Sequence, residues 1–232
     1  MNTLERISQH SFLPALVRKE SLVLDLGGNR GEFSRGIQKY GFSVIAVEPT
    51  PALANHLRQS GVQVIEAAVT GQDGTASFTF SEHEELTGSI LGRDVVDLLG
   101  EDSTTIEVPT LSLGSLLNGR TVDLVKVDIE GAELDMFLKA DDETLLSVRQ
   151  FTVEFHDFWY LELGPRTEAV KQRMERLGFW TMRGTPNNKD VLFVHPDFAP
   201  GAMQRIYIGQ WLRNINGFGR ALAIVCRRIF SR

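Results

Sequence analysis

Two acids frame a glycine turn early in the chain, and their placement suits a ligand without phosphate. Asp25 precedes the turn in Asp25-Leu26-Gly27-Gly28-Asn29-Arg30-Gly31, and Glu48 closes a later apolar run just before Pro49. Such a turn lets backbone N–H groups and a helix N-terminus approach a ligand closely. The dinucleotide pattern Gly-x-Gly-x-x-Gly fails in both frames. From Gly27 its later positions fall on Asn29 and Glu32, and from Gly28 on Arg30 and Phe33. Glu32 would also set an anion where a pyrophosphate must bind. An acid at Asp25 favours a cationic ligand part, and a carboxylate at Glu48 accepts hydrogen bonds from both hydroxyls of a ribose. S-adenosylmethionine offers an ammonium, a sulfonium and a ribose, and it fits these acids better than a nucleotide does. The bland alternative is that Asp25 only caps a helix and Glu48 only faces solvent.

A second group of reactive side chains lies in Asp128-Ile129-Glu130-Gly131-Ala132-Glu133 and in Glu154-Phe155-His156-Asp157. Methyl transfer to an alcohol needs a general base within hydrogen-bond reach of the acceptor. His156 is the first choice, because an unperturbed pKa of ~6.5 leaves the ring neutral and proton-accepting near pH 7. A lone histidine is also commonly a packing residue. Glu154, two residues earlier on an extended strand, points to the same side and would orient the ring. A carboxylate touching the sulfonium would stabilise the ground state more than the transition state. Asp128 is therefore expected to address the donor's amino group or the acceptor hydroxyl. Glu130 and Glu133 sit where a helix dipole favours acids, and Lys126 is expected to snorkel or to pair with an acid. Asp128 with Glu130 suggests a divalent cation, but no aspartate-rich ligand set accompanies them, so metal-free chemistry is expected.

The elements that must carry these residues alternate short apolar runs with amphipathic stretches, the pattern of an α/β fold with a parallel sheet. Strands are predicted at Ser21–Leu26, Phe42–Val47, Val62–Val69, Val122–Val127 and Phe151–Phe155. Phe179–Met182 and Val191–Val194 are predicted to close the sheet as an antiparallel pair. Helices are predicted over residues 3–18, Glu32–Tyr40, Ala52–Ser60, Leu111–Leu117, from Asp128 to about Ala140, and over Arg166–Leu177. Asp73-Gly74 is a hairpin turn signal ahead of the alternating run Thr75–Phe80, so a β-hairpin is expected as an insertion. The polar, glycine-dotted stretch Ser81–Ser103 reads as a loop, with Thr87–Leu91 as a lid element. Trp159 and Tyr160 are candidates to stack on an acceptor ring. The organisation predicted is an N-terminal helix over residues 1–20, a domain over 21–197 and a helical tail over 198–232. The fold class is α/β, a Rossmann-like, mostly parallel seven-stranded sheet with helices on both faces.

Composition bounds the alternatives. The 232 residues are 42% hydrophobic and 23% charged, which fills a core and argues against disorder or coiled coil. One cysteine, Cys226, excludes an intramolecular disulfide and cysteine-cluster metal sites. No apolar run approaches the roughly 18–20 residues of a membrane span, and the first residues lack an apolar core, so a cytoplasmic protein is expected. The formal net charge is −6, yet no Asp, Glu or Lys follows Asp197, while six arginines do. An acidic body gives no electrostatic case for nucleic acid. The basic tail admits two readings: a helical pair packed on the body or on a second copy, or an interfacial amphipathic helix drawn to anionic lipid at the inner membrane face.

Val23–Gly31, Val47-Glu48-Pro49-Thr50-Pro51 and Lys126-Val127-Asp128-Ile129-Glu130-Gly131-Ala132-Glu133 together resemble the FkbM-type methyltransferases, over about residues 22–195. The resemblance implies a class I fold and S-adenosylmethionine as methyl donor. It also implies O-methylation of a hydroxyl on a sugar, glycan or natural product. Gly27, Gly28, Asn29, Gly31, Pro49, Ala67 and Ala68, with Asp25, Glu48 and Asp128, are the donor-binding positions expected. Gly28 and Arg30 depart from the family pattern, which usually has alanine at the first position and a small or apolar residue at the second. N-methylation on the same fold, a non-catalytic scaffold module and, more distantly, a nicotinamide oxidoreductase are the competing functions.

Overall fold

The central strands form because their residues are apolar on both faces, as a sheet covered by helices on each side requires. The computed structural model describes residues 3–81, 88–89, 103–158 and 160–209. In chain order its strands are β1 (Glu5–Ile7), β2 (His10–Phe12), β3 (Leu22–Leu26), β4 (Ser43–Val47), β5 (Gln63–Ile65), β6 (Ala68–Val69), β7 (Gly74–Ser81), β8 (Gly88–Ser89), β9 (Ser103–Leu111), β10 (Leu124–Val127), β11 (Gln150–Val153), β12 (Trp180–Arg183) and β13 (Val191–Val194). The helices are α1 (Glu32–Lys39), α2 (Pro51–Gln59), α3 (Leu113–Leu117), α4 (Glu133–Lys139), α5 (Asp142–Leu146), α6 (Gly164–Arg176) and α7 (residues 202–209).

The main sheet has seven strands in the order β12-β13-β11-β10-β3-β4-β5. All neighbours are parallel except β13, which runs antiparallel to β11 and β12. Alternate side chains of β3 separate the two cores. Leu24 and Leu26 join a layer with Phe137, Phe151, Phe155 and Phe193, while Val23 joins Phe12, Phe33, Ile37 and Leu57 on the other face. From β3 the chain winds outward through β4 and β5, then returns to lay β10 on the other side of β3. That reversal opens a crevice at the carboxyl ends of β3 and β10. Backbone bonds hold these ends together: Gly27 and Gly28 donate to Val47 O (2.9 and 3.1 Å), Asp128 to Leu26 O (3.1 Å), and Glu154 to Val127 O (2.9 Å).

Two expectations are corrected. Residues 3–18 form no helix; they form the hairpin β1–β2, with Ser8 at a φ of 54° in its turn, followed by a short 3₁₀ turn over Pro14–Leu16. Pro14 disfavours helical backbone at Leu13. Tertiary bonds then claim this segment. Ser11 donates through N and Oγ to buried Asp190, and Leu13 exchanges two hydrogen bonds with the Gln150 side chain. Val62–Val69 is not one strand either, since β5 ends at Ile65 and β6 belongs to a second sheet of order β6-β9-β7-β8. The insertion is a β-hairpin, but β7 pairs along its length with β9 instead of closing on β6 at Asp73-Gly74. Asp73 serves α3 instead, accepting from Ser112 N at 2.7 Å.

Among the described residues, no helix is long and apolar enough to cross a membrane. Of the tail, residues 202–209 form α7, with Ile208 buried and Met203 and Ile206 exposed. Trp159, the proposed lid apart from Gly88–Ser89, and the chain beyond Gly209 lie outside the described residues.

Candidate active site

The loop after β3 is shaped by glycines that have no alternative. Gly27 has a φ of 80°, and a Cβ there would stand 1.8 Å from the Asp128 carbonyl oxygen. Gly31 (φ 78°) opens α1 against Leu57, 2.5 Å from where its Cβ would be. At Gly28 a Cβ would come within 2.9 Å of Ala46 Cβ and 3.0 Å of Leu57 Cδ1, which is why an alanine does not fit in this chain. Gly28 and Gly31 thus set the loop's path, and Gly27 borders the cleft itself.

An open cleft lies at the sheet reversal, bordered by Gly27, Asn29, Glu48, Pro49, Ala67, Ala68 and Asp128 of the positions predicted, and by Leu53, Phe78, Ile129 and Glu130. Two backbone amides hold Glu48: Asn29 N donates to Oε2 and Thr50 N to Oε1, each at 2.9 Å. Burial pushes its pKa up, against those hydrogen bonds. Each oxygen keeps a second acceptor site. Leu53, Ala67, Ala68 and Phe78 make an apolar slot beside Glu48. These residues fit an adenosyl group: a carboxylate for the ribose and apolar walls for the base.

Asp25 does not take the role expected of it. It is fully buried beneath the loop and does not border the cleft. Its carboxylate accepts from Ser34 Oγ (2.6 Å) and pairs with Lys126 Nζ (3.2 Å). The cation it answers is therefore a lysine of the neighbouring strand, which sits opposite it in the β10–β3 register. Lys126 also donates to Gly27 O (2.5 Å) and lies 3.3 Å from Asp128 Oδ2. Burial would lower the Lys126 pKa, but Asp25 and Asp128 hold it above the ordinary lysine value.

His156 is the largest departure. The chain leaves β11 at Val153 and enters a 3₁₀ turn at His156–Phe158, so the two-residue alternation that would align Glu154 with His156 does not apply. Glu133 orients the ring instead: its Oε1 lies 2.9 Å from His156 Nδ1 while accepting Ile129 N (2.9 Å) and Gly131 N (3.2 Å). Nε2 lies 3.2 Å from Glu130 Oε2 and 3.6 Å from Asp128 Oδ1. Burial would lower the His156 pKa, but Glu133, Glu130 and Asp128 push it up to about 10. At neutral pH the ring is an imidazolium, not the neutral base expected. Burial, opposed by His156, pushes Glu130 up to about 7. Asp128 would also rise on burial, but Lys126, His10 and His156 hold it far below the carboxylate range.

Glu154 faces another recess, with His10 and Asp128, and lies 3.8 Å from Lys189 Nζ. Burial and Asp128 raise its pKa. Around Asp128, two trios present ligand atoms within 4.8 Å of one another: His10, Asp128 and Glu154, and Asp128, Glu130 and His156. Sequence reasoning missed two participants. Glu133 belongs to the quoted Asp-x-Glu-Gly-Ala-Glu string, and that spacing was its signal. His10 had none while residues 3–18 read as a helix.

A doubly wound sheet with its cleft at the strand reversal, an acid at the end of β4 and a charged cluster after β10 defines a Rossmann-like class I architecture. The family model of the methyltransferase FkbM domain matches residues 25–180, and the chain belongs to that family. It is 30% identical over 163 residues to Methyltransferase 1 of Beauveria bassiana, covering 60% of this chain and 66% of that protein. It is 24% identical over 261 residues to the AMB antimetabolite synthetase AmbE of Pseudomonas aeruginosa, covering 89% of this chain and 12% of the synthetase. The chain thus spans about two thirds of the first relative and a small part of the second. Among solved structures, a TehB-like SAM-dependent methyltransferase from Corynebacterium glutamicum aligns with a TM-score of 0.39 at 12% identity, over 78% of this chain and 84% of that one.

Proposed function

We propose that the chain is an S-adenosylmethionine-dependent methyltransferase that methylates a hydroxyl of a sugar, glycan or natural product. The observation that carries this reading is the convergence of Glu48 and the apolar slot with Glu130, whose pKa near 7 suits a general base. Membership of the FkbM family supports it, and the similarity to an antimetabolite synthetase supports a natural-product acceptor.

Glu48 would hold the ribose hydroxyls, and Gly27 would let the loop backbone approach the donor. When bound, the donor supplies a methyl group on a positively charged sulfur. Glu130 would take the proton that the acceptor hydroxyl loses as its oxygen bonds to the methyl carbon, while the methyl–sulfur bond breaks and its electron pair stays on the sulfur as a neutral thioether. His156, protonated and held by Glu133, keeps Glu130 in place through Nε2. Asp128 is already answered by Lys126 and His156, so its charge needs no metal ion, and we propose metal-independent transfer.

The test is transfer of labelled methyl from S-adenosylmethionine into hydroxylated acceptors, followed over pH. With Glu130 as base, the rate rises with pH through about 7 and then levels, because only the carboxylate form accepts a proton. Glu130→Gln lowers it by about 10²–10⁴-fold, and a chelator leaves it unchanged. A rate that keeps climbing through about 10 transfers the base role to His156. A rate indifferent to Glu130→Gln favours N-methylation, which needs no strong base.

A further inference from the structure

Helix α7 lies outside residues 25–180, so the family match assigns it nothing. Its inner side is fixed to the body. Ile208 is buried in one cluster with Leu13, Met182, Leu192 and Val194. Arg205 places its guanidinium over Trp180, 5.8 Å from the ring centre, and donates to Pro200 O (2.6 Å). Its outer side is apolar and open to solvent: Met203 is 86% exposed, Ile206 61% and Tyr207 50%. Spacings of three and four residues set these side chains on one helix face, where a surface helix ordinarily carries polar groups. Trp211 and Ile215 continue that spacing in the sequence. The charge is as lopsided as the surface. The net of −6 divides into −12 up to Asp197 and +6 after it, all of the latter arginine.

We propose that the outer face of α7, with the arginine-rich sequence that follows it, docks on the surface of an anionic lipid bilayer, at the end of the sheet away from the cleft. The body that carries α7 does not cover this face, because Ile208 commits the opposite side to it. A second copy is a poor cover. Three side chains fall well short of the roughly 800 Å² per partner that a stable dimer buries, and a symmetric pairing would bring two arginine-only segments together. A bilayer surface meets every feature at once: apolar side chains enter at headgroup level, Tyr207 and Trp211 suit the interfacial belt, and lipid phosphates answer the arginines. Such a surface repels the acidic body, so the molecule approaches it tail first. Trp180, beneath Arg205, pairs with Val194, which pairs with Gln150 at the amino end of β11. The cleft stands at the carboxyl ends of the parallel strands, so docking through α7 leaves it open to the aqueous side.

Flotation of the full chain with vesicles of roughly 3:1 phosphatidylcholine to phosphatidylglycerol tests this, against vesicles of phosphatidylcholine alone. The chain is expected to bind the anionic vesicles at least tenfold more tightly, and the preference to shrink as salt rises. Met203→Glu combined with Ile206→Glu, on exposed side chains that leave the fold intact, is expected to weaken binding by tenfold or more with thermal unfolding unchanged. Arg213→Gln, Arg220→Gln and Arg227→Gln are each expected to weaken it by about fivefold. S-adenosylhomocysteine is expected to bind the vesicle-bound and the free chain alike. No binding to either vesicle, equal binding to both, or binding that survives the glutamate pair overturns the assignment. So does sedimentation that finds a dimer without vesicles and a monomer for the glutamate pair, which gives the face to a second copy. S-adenosylhomocysteine binding that is lost on vesicles overturns the placement of the cleft on the aqueous side.

Discussion

The two walls of the cleft hold their acids by different means. On the β4 side, Glu48 is gripped by two backbone amides and borders apolar residues. On the β10 and β11 side, Asp128 and Glu130 are set among Lys126, His10 and His156, and Asp25 on β3, Glu133 and Glu154 join the same charge network away from the cleft. Backbone amides fix a carboxylate's position without an ion pair, which suits an acceptor of neutral hydroxyls. The charged wall fixes protonation states instead: one imidazolium, one carboxylate kept ionised, one poised near pH 7. The first wall is built to bind and the second to move a proton.

If that contrast holds, damage to the charged wall costs folding, whereas damage to the amide wall costs binding. Lys126→Met has the largest expected effect. It leaves Asp25 and Asp128 buried without their lysine, and breaking a buried pair from one side costs about 3–5 kcal/mol. At about 2–4 °C per kcal/mol for a domain of this size, thermal unfolding should fall by on the order of 10 °C. Asp25→Asn in the same chain should recover part of the loss. A Lys126→Met protein as stable as the wild type would remove the charge network from the account of this wall. Glu48→Gln should do less to the fold and more to the ligand. The amide keeps one oxygen but turns an NH₂ toward a backbone N–H, and donor affinity should drop by about tenfold through a lost charge-assisted bond. Equilibrium binding of S-adenosylhomocysteine reads this, and unchanged affinity would take the ribose away from Glu48.

The amide wall was the more legible of the two in the sequence. Its parts are local: a glycine turn after a continuous apolar strand, an acid at the next strand's end, and the small residues Ala67 and Ala68. The charged wall depends on register and tertiary contact, which periodicity does not encode. Lys126 was expected to find an acid, but that the acid is Asp25 follows from the β10–β3 pairing. Asp25 therefore changes from ligand residue to internal counter-ion. The charge on His156 is set by Glu133 and Glu130, which reach it from the far side of a turn whose left-handed Glu130 (φ 52°) no pattern announces. The N-terminal hairpin shows the same limit. Apolar spacing over residues 3–18 suits a helix, yet Pro14 and the bonds to Asp190 and Gln150 decide otherwise.

The smallest effect concerns stability against pH, and its sign separates the two raised groups on the charged wall. His156 has a folded pKa of about 10 against 6.5 for the free side chain. The stabilisation from its proton is therefore complete below about 6.5 and is lost as pH rises toward 10. Glu130, raised from 4.5 to about 7, gives up its share earlier, as pH rises through 7. Between pH 7.5 and 10 the imidazolium is the group of these two still titrating, so thermal unfolding should fall across that window by on the order of 5 °C. His156→Asn carries no proton to lose. Its unfolding temperature, lower at the outset, should stay nearly level over the same range. A parallel decline in both proteins would place the loss elsewhere and return His156 to the neutral ring that its residue type alone suggests.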